Sequence, residues 1–446
     1  MKVAKFGGSS VASASQIRKV GQIIKNDSSR KLIVVSAPGK RSESDTKITD
    51  LLIQIGTLHL YNEPIAKLYE IIIDRFQEIT HELNVKDCVL EDIKHSLDNA
   101  IASITPDNME QLKAFGEDSS AKIVAAYLQS IDIHATYLHP KDAGLLVTND
   151  PGDAQVLPES FEHLFRLREK DGIIVIPGFF GVCKNGEIIT FSRGGSDITG
   201  SLIAAGVEAS LYENFTDVDS VYSVNPQLVK NPKEITKLTY KEMRELSYAG
   251  FSVFHDEALI PAFKRQIPVC IKNTNNPHSK GTMIVSDKDP NIDCVVGIAS
   301  DEGFCSFYIS KYLMNKEIGF GRKLLHILED EQISFEHAPS GIDDITIILR
   351  ESELTPEIEE RIVQRIKDEL YVDTIKIKKD LAIIMVVGEG MKSTIGMAER
   401  ATAALSHAKV NIEMINQGSS EVSMMFGIQK QGIERAIQSL YKAFFE

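Results

Sequence analysis

The sequence predicts an α/β protein: a central, mostly parallel sheet over residues 1–290, followed by two small ferredoxin-like units at 303–376 and 380–446. Strand-like and helix-like segments alternate along the first part, which is the signature of a parallel sheet with crossover helices. Lys31 to Ala37 and Gly172 to Ile176 are continuous apolar runs, as expected of strands covered on both faces. The second part repeats itself. Shifting the chain by 77 positions lays Phe304–Ser310 on Leu381–Val387, Ile318-Gly319 on Ile395-Gly396, Glu336 on Glu413 and Gly341 on Gly418. Each copy reads β-α-β-β-α, and two such copies in tandem suggest a paired regulatory module. Residues 294–300 could add a strand to this region.

Taken in order, Val3-Ala4 opens a buried strand that breaks at Lys5-Phe6-Gly7-Gly8-Ser9-Ser10 and re-enters as a helix from Ala14 to Ile24. Such a junction leaves backbone N–H groups pointing into one loop at the positive end of a helix. Paired glycines alone read as a tight turn; the lysine before them and the hydroxyls after them point to a phosphate. No G-x-x-x-x-G-K-[ST] occurs, so this is not a Walker loop. The polar stretch 38–47 ends at Thr49-Asp50-Leu51-Leu52, where a largely helical excursion begins and runs to about Ser103. A helix from Asn108 to Leu128 carries Phe115-Gly116-Glu117, and a strand-like Ala135 to Leu138 follows. The strand ending at Ile176 runs into Pro177-Gly178-Phe179, at the sheet edge where ligands of α/β proteins collect. Ile188 to Phe191 delivers a second strand–glycine–helix junction, Ser192-Arg193-Gly194-Gly195-Ser196-Asp197. The strand-like Glu208 to Phe215 then leads to Thr216-Asp217. In the first repeat, Thr355 as cap with Pro356 and Glu357 behind it signals a helix start.

Composition excludes several classes. A net charge of −14 argues against nucleic acid and anionic membrane as partners. An anionic ligand then needs a local basic site. Cys88, Cys183, Cys270, Cys294 and Cys305 are scattered and lack C-x-x-C spacing, which suits reduced thiols in a cytoplasm. With no signal peptide before the first strand and no apolar run near the ~18 residues of a membrane span, a cytoplasmic protein is expected. The histidines form no H-x-x-x-H or Cys/His cluster, so no side-chain metal site is assigned.

Among the chemical candidates, Arg193 suits a carboxylate, which a guanidinium grips with two parallel hydrogen bonds. Ser196 and Asp197 open a helix, where an ordinary cap also explains them. Glu117 suits a cationic amine, although an acid on a helix commonly faces solvent. Tyr222 could support an adenine, whereas a turn without ligand explains Thr216-Asp217 nearly as well. Gly388-Glu389-Gly390 lacks the third glycine of a dinucleotide loop, since Ser393 stands there.

Together, KFGGSS at 5–10, ITDLL at 48–52, FGE at 115–117, PGF at 177–179, SRGGSD at 192–197, TDVDSVYSVNP at 216–226 and VNIEMINQGSSEVSM at 410–424 resemble the aspartokinases. That resemblance implies an amino-acid kinase domain of carbamate-kinase-like fold with two C-terminal ACT domains. It implies Mg-ATP-dependent phosphorylation of the β-carboxylate of L-aspartate, feeding lysine, threonine and methionine synthesis. By position, Lys5 would contact the transferring phosphoryl group, with Gly7, Gly8 and Ser9 cradling it by backbone N–H. Arg193 would clamp the α-carboxylate, Glu117 the α-ammonium, and Thr49 and Ser196 would position the substrate, with Asp197 orienting groups near the amine or the lysine. Thr216, Asp217 and Tyr222 would line the nucleotide pocket. Gln227 and Ser252 stand where relatives often carry an arginine and a lysine, Ser192 replaces a common glycine, and Lys230 or Lys233 is expected to supply the missing cation.

The loop 38–47 and the stretch Gly250–Asp256 resemble the lysine-sensitive branch, implying an effector site in the first ACT unit at Met314, Gly319, Phe320, Gly321, Phe335, Glu336 and Ser340. Glu336 would hold the effector ammonium, although acidic Glu413 in the repeat shows that the fold itself accommodates an acid there. The expectation is a monofunctional, lysine-inhibited enzyme that forms a homo-oligomer through its ACT units. Two alternatives stay open: a same-fold kinase for another carboxylate, and an amino-acid sensor with weakened catalysis.

Overall fold

The computed structural model describes residues 1–106, 108–251, 256–289, 293–418 and 422–446. It divides into two compact units. One comprises Met1–Val221, Glu234–Met243 and the described part of Ser252–Lys288; the other comprises Tyr222–Lys233, Arg244–Phe251 and the described part of Asp289–Glu446.

The strands associated with the first part of the chain are β1 (Lys2–Phe6), β2 (Arg30–Val35), β3 (Ala135–Tyr137), β4 (Ile173–Pro177), β5 (Phe180–Val182) and β6 (Ile188–Thr190). They continue with β7 (Leu211–Thr216), β8 (Val221–Tyr222), β9 (Glu234–Ile235), β10 (Lys237–Thr239), β11 (Val269–Asn273) and β12 (Thr282–Val285). Among the described residues the main sheet runs β10-β12-β11-β7-β1-β2-β4-β3, parallel except for the β11–β12 pair. The apolar runs lie where the sequence places them: Val3, Ala4, Leu32, Ile33, Val34 and Val35 are fully buried. From β1 the chain crosses to β2 on one side, while β7 flanks β1 on the other. Strand order therefore reverses at β1/β7, and a crevice forms at the carboxyl ends there.

The helical excursion resolves into helices Ile48–Leu60, Ala66–Glu82 and Asp87–Ala102, followed by the long helix Glu110–Ser130. They share a core with β1 and β2 that includes Phe6, Ile33, Ile72, Phe76, Phe115 and Phe215. Phe6 stacks on Phe215 at 4.8 Å between ring centroids, a contact worth about 1 kcal/mol beyond its buried area. Arg30 and Glu213 form a buried bidentate pair at 2.6 and 3.0 Å.

The second unit is built on one antiparallel sheet of β13 (Gly297–Ser310), β14 (Asp344–Arg350), β15 (Thr374–Val387), β16 (Ile412–Asn416) and β17 (Ser423–Gln429), in the order β14-β13-β15-β17-β16. The helix pair Phe320–Asp330 and Pro356–Leu370 covers the first repeat, and Met397–His407 with Ile433–Phe445 covers the second. Thr355 caps Pro356–Leu370 as its sequence signals, accepting the N–H of Ile358 at 3.3 Å. The boundary expected at 376–380 falls inside a continuous strand, because β15 pairs with β13 along both halves and so joins the repeats through one ladder. Two segments assigned from sequence to the first domain, Tyr222–Lys233 and Arg244–Phe251, group with the second unit. The reason is packing: Val224, Leu228 and Val229 join the core of the second repeat, and the N–H of Ile298 bonds to Ser223 O at 2.7 Å.

Candidate active site

A cavity of about 460 Å³ opens at the carboxyl ends of β1, β2 and β7. Its wall includes Lys5, Gly7, Gly8, Ser9, Thr49, Glu117, Asp197, Thr216 and Asp217, nine of the residues singled out from sequence. Ser36 to Lys40, Lys47 and Asn214 complete it.

Lys5 and Asn214 are register partners on β1 and β7, so their side chains share one face of the sheet. Both meet Asp197: Lys5 Nζ lies 2.6 Å from Oδ1, and Asn214 Nδ2 donates to the same oxygen at 2.6 Å. Asp197 sits in the first turn of helix Gly195–Gly206, whose N-cap Gly194 has φ +78°, a conformation that favours glycine. This places the lysine charge at a helix start.

The glycine pair serves close approach. The N–H of Gly39 donates to Gly8 O at 2.9 Å, and a Cβ on Gly39 would stand 2.7 Å from the Gly8 carbonyl carbon. The expected cradle needs one correction. Gly7 lines the cavity, but its N–H already donates to Phe215 O at 3.0 Å because β1 still pairs with β7 there. The donors left for an anion belong to the start of the short helix Gly8–Val11.

Glu117 is delivered by its neighbours. Phe115 packs edge-on to Phe76, and Gly116 approaches Ala37 so closely that a Cβ would stand 2.6 Å from Ala37 Cβ. The next side chain then enters the cavity wall, 5% exposed, with Oε2 lacking a hydrogen-bond partner. Burial pushes its carboxyl up to about 8, against the smaller opposing effects of backbone N–H groups and the Lys5 charge. A buried carboxyl with an unpaired oxygen, aimed into a cavity, is built to meet a cation.

Other candidates lie elsewhere. Arg193 is exposed and not part of the cavity wall. Ser196 is buried under the Pro177-Gly178-Phe179 turn, where a Cβ on Gly178 would stand 2.8 Å from Ser196 Oγ. That turn is fixed by Phe179, at φ +77°, whose N–H donates to Thr199 Oγ1 at 3.0 Å. Tyr222 and Gln227 belong to the second unit, as do Lys230 and Lys233, and Lys233 is committed to Asp293 at 2.7 Å. Ser252 lies outside the described residues.

In the second unit, Met314 and Phe320 are buried in the core of the first repeat, so only their backbone is available to a ligand. Gly319 has φ +81° as N-cap of Phe320–Asp330, and Gly321 follows in the first turn. Phe335 is half-exposed and Ser340 exposed. Glu336 is engaged on both oxygens, by Arg350 Nε at 2.9 Å and by the Tyr248 hydroxyl. Sequence reading missed Asn214, a polar residue between Glu213 and Phe215 in β7, and the lysines of the 38–47 loop, which no motif marks.

The amino acid kinase family model matches residues 1–273, and an ACT domain model matches 384–444. Aspartokinase 3 of Bacillus subtilis is 56% identical over all of this chain and 99% of its own length. The chain belongs to the aspartokinases. The chloroplastic aspartokinase 1 of Arabidopsis thaliana is 28% identical over the whole chain and 80% of its own length. Among solved structures, the aspartate kinase of Clostridium acetobutylicum covers both chains fully at 40% identity and a TM-score of 0.87. This aspartokinase thus shares its whole two-unit length with relatives of the family. Among its described residues, no helix is long and apolar enough to cross a membrane.

Proposed function

We infer that this aspartokinase transfers the terminal phosphoryl group of Mg-ATP to the β-carboxylate of L-aspartate. The products are 4-phospho-L-aspartate and ADP, and lysine inhibits the reaction through the first ACT unit. The observation that carries the reading is the unpaired, buried Glu117 carboxyl in the same cavity wall as Lys5 and the Gly7-Gly8 turn. One feature suits an α-ammonium and the other a phosphoryl group.

In this reading a β-carboxylate oxygen forms a bond to the γ-phosphorus while the bond from that phosphorus to the bridging oxygen breaks, leaving ADP. The nucleophile is already ionised at neutral pH, so no general base is needed. What the chain contributes is alignment and charge. Glu117 holds the ammonium, Thr49 helps to position the substrate, and Lys5, kept in place by Asp197, which Asn214 fixes in turn, faces the transferring group. Arg193, on the exposed turn that precedes the helix Gly195–Gly206, is the residue assigned to grip the α-carboxylate. Thr216 and Asp217 line the nucleotide side. Mg²⁺ would come with the phosphates as part of the co-substrate and would neutralise their charge, and Asp217 is a wall carboxylate that would hold it.

The protein works in the cytoplasm and assembles as a homo-oligomer through its ACT units. Its effector contacts Met314, Gly319, Phe320 and Gly321 through backbone, and Phe335, Glu336 and Ser340 through side chains. The test is ADP release by purified protein given Mg-ATP and L-aspartate, with and without L-lysine. Release that needs aspartate and falls with lysine supports both parts; release that ignores lysine rejects the effector assignment alone.

A further inference from the structure

We propose that Lys40 and Lys47 are the cations that receive the nucleotide phosphates, and that Arg75 holds the loop presenting them. The proposal rests on reading the cavity as an ATP site and names residues that the family resemblance does not assign.

The loop between β2 and helix Ile48–Leu60 carries three cations, Lys40, Arg41 and Lys47. Arg41 is occupied: its N–H and Nε donate to Asp45 Oδ2 at 2.9 and 3.1 Å, and its Nη1 donates to Glu78 at 2.8 Å. Asp45 also lies 3.1 Å from Arg75 Nη2. Arg75, 3% exposed beneath the loop, donates to Thr46 O at 2.9 Å and to Gly39 O. One buried guanidinium therefore holds carbonyls near both ends of the loop. The close contact of Gly39 with Gly8 then joins the loop to the glycine turn.

With Arg41 and Asp45 occupied in this way and exposed Glu43 off the cavity wall, Lys40 and Lys47 are left on that wall, exposed, with no carboxylate in ion-pair range among the described residues. The wall needs them. Lys5 is matched by Asp197 at 2.6 Å, and Asp217 adds a further negative charge. Without the two loop lysines the wall would be net negative on a chain already at −14 and would repel a polyphosphate. With them, and with the buried Glu117 carboxyl still protonated, the wall becomes net positive.

The test compares wild type, Lys40→Ala, Lys47→Ala, the double variant, and Lys31→Ala, which removes an exposed lysine at the far end of β2. Steady-state kinetics give KM for ATP and for aspartate separately, and calorimetric titration with ADP reads binding without turnover. Each single variant should raise the ATP KM and the ADP Kd by about tenfold, the usual scale of one charge-assisted contact. The double variant should raise them further, with the aspartate KM unchanged and a shallower loss of ADP affinity between low and high salt. Lys31→Ala should match wild type. The thermal unfolding midpoint should hold in every variant, since these side chains are exposed. An active wild type with ATP KM and ADP Kd unchanged in the double variant overturns the proposal while leaving the kinase reading intact. A wild type that neither binds ADP nor releases it from ATP overturns both.

Discussion

Aspartate binding should expel a proton from Glu117. In the free protein this carboxyl is buried, has an unpaired oxygen, and is pushed by burial from an ordinary 4.5 up to about 8. At pH 7 it therefore holds about 0.9 of a proton. An ammonium seated against it favours the ionised form, so the proton leaves as substrate enters. The sign follows directly. Below pH 8, where binding releases a proton, aspartate affinity rises with pH, by up to about tenfold per unit; above pH 8 the group is already ionised and the curve flattens. The same group makes the free fold progressively less stable as pH climbs from the unfolded value near 4.5 towards 8, because the folded state retains the proton longer. Titrating ADP-saturated protein with aspartate at pH 7, in buffers of different ionisation enthalpy, reads the proton count as a slope. We expect nearly one proton released by wild type and none by Glu117→Gln. No release by wild type, or equal release by both proteins, would refute the reasoning.

Three further outcomes follow from packing and charge. Arg75→Met leaves the carbonyls of Gly39 and Thr46 without their donor and should cost about 3 kcal/mol in urea unfolding, with ATP KM rising in parallel. Gly39→Ala drives a Cβ to 2.7 Å from Gly8 backbone; the strain of about 1–3 kcal/mol should appear as weaker ADP binding in calorimetry. Glu336→Ala removes the carboxylate now shared by Arg350 and Tyr248, and should raise the lysine concentration for half-inhibition by at least about tenfold in the ADP-release assay.

Much of the fold was legible because its signals are local. Leu32 to Val35 is apolar without a break, and in the inner strand Arg30–Val35 every residue but Lys31 is buried. The Gly-Gly junction at 7–8 reads as a turn before a helix, and it forms the cavity wall. Long-range pairing left weaker marks. Nothing local reveals that Thr374–Val387 runs through the expected boundary at 376–380, because that depends on its partner Gly297–Ser310. The same holds for Tyr222–Lys233, whose apolar residues find their core in the second repeat. At the site, Phe-Gly-Glu at 115–117 identified Glu117, while the reason for Gly116, its approach to Ala37, required coordinates. Composition also could not tell Lys40 and Lys47 from Arg41. All three are exposed cations in one loop, and only the geometry of Asp45, Glu78 and Arg75 shows which of them is already paired.

The most direct test of the central claim is ADP release from Mg-ATP with L-aspartate against N-acetyl-L-aspartate as acceptor. The acetylated compound keeps both carboxylates and offers Glu117 no ammonium. Release supported by L-aspartate alone is the predicted result. Equal release with the two acceptors, or none with aspartate, would contradict the account.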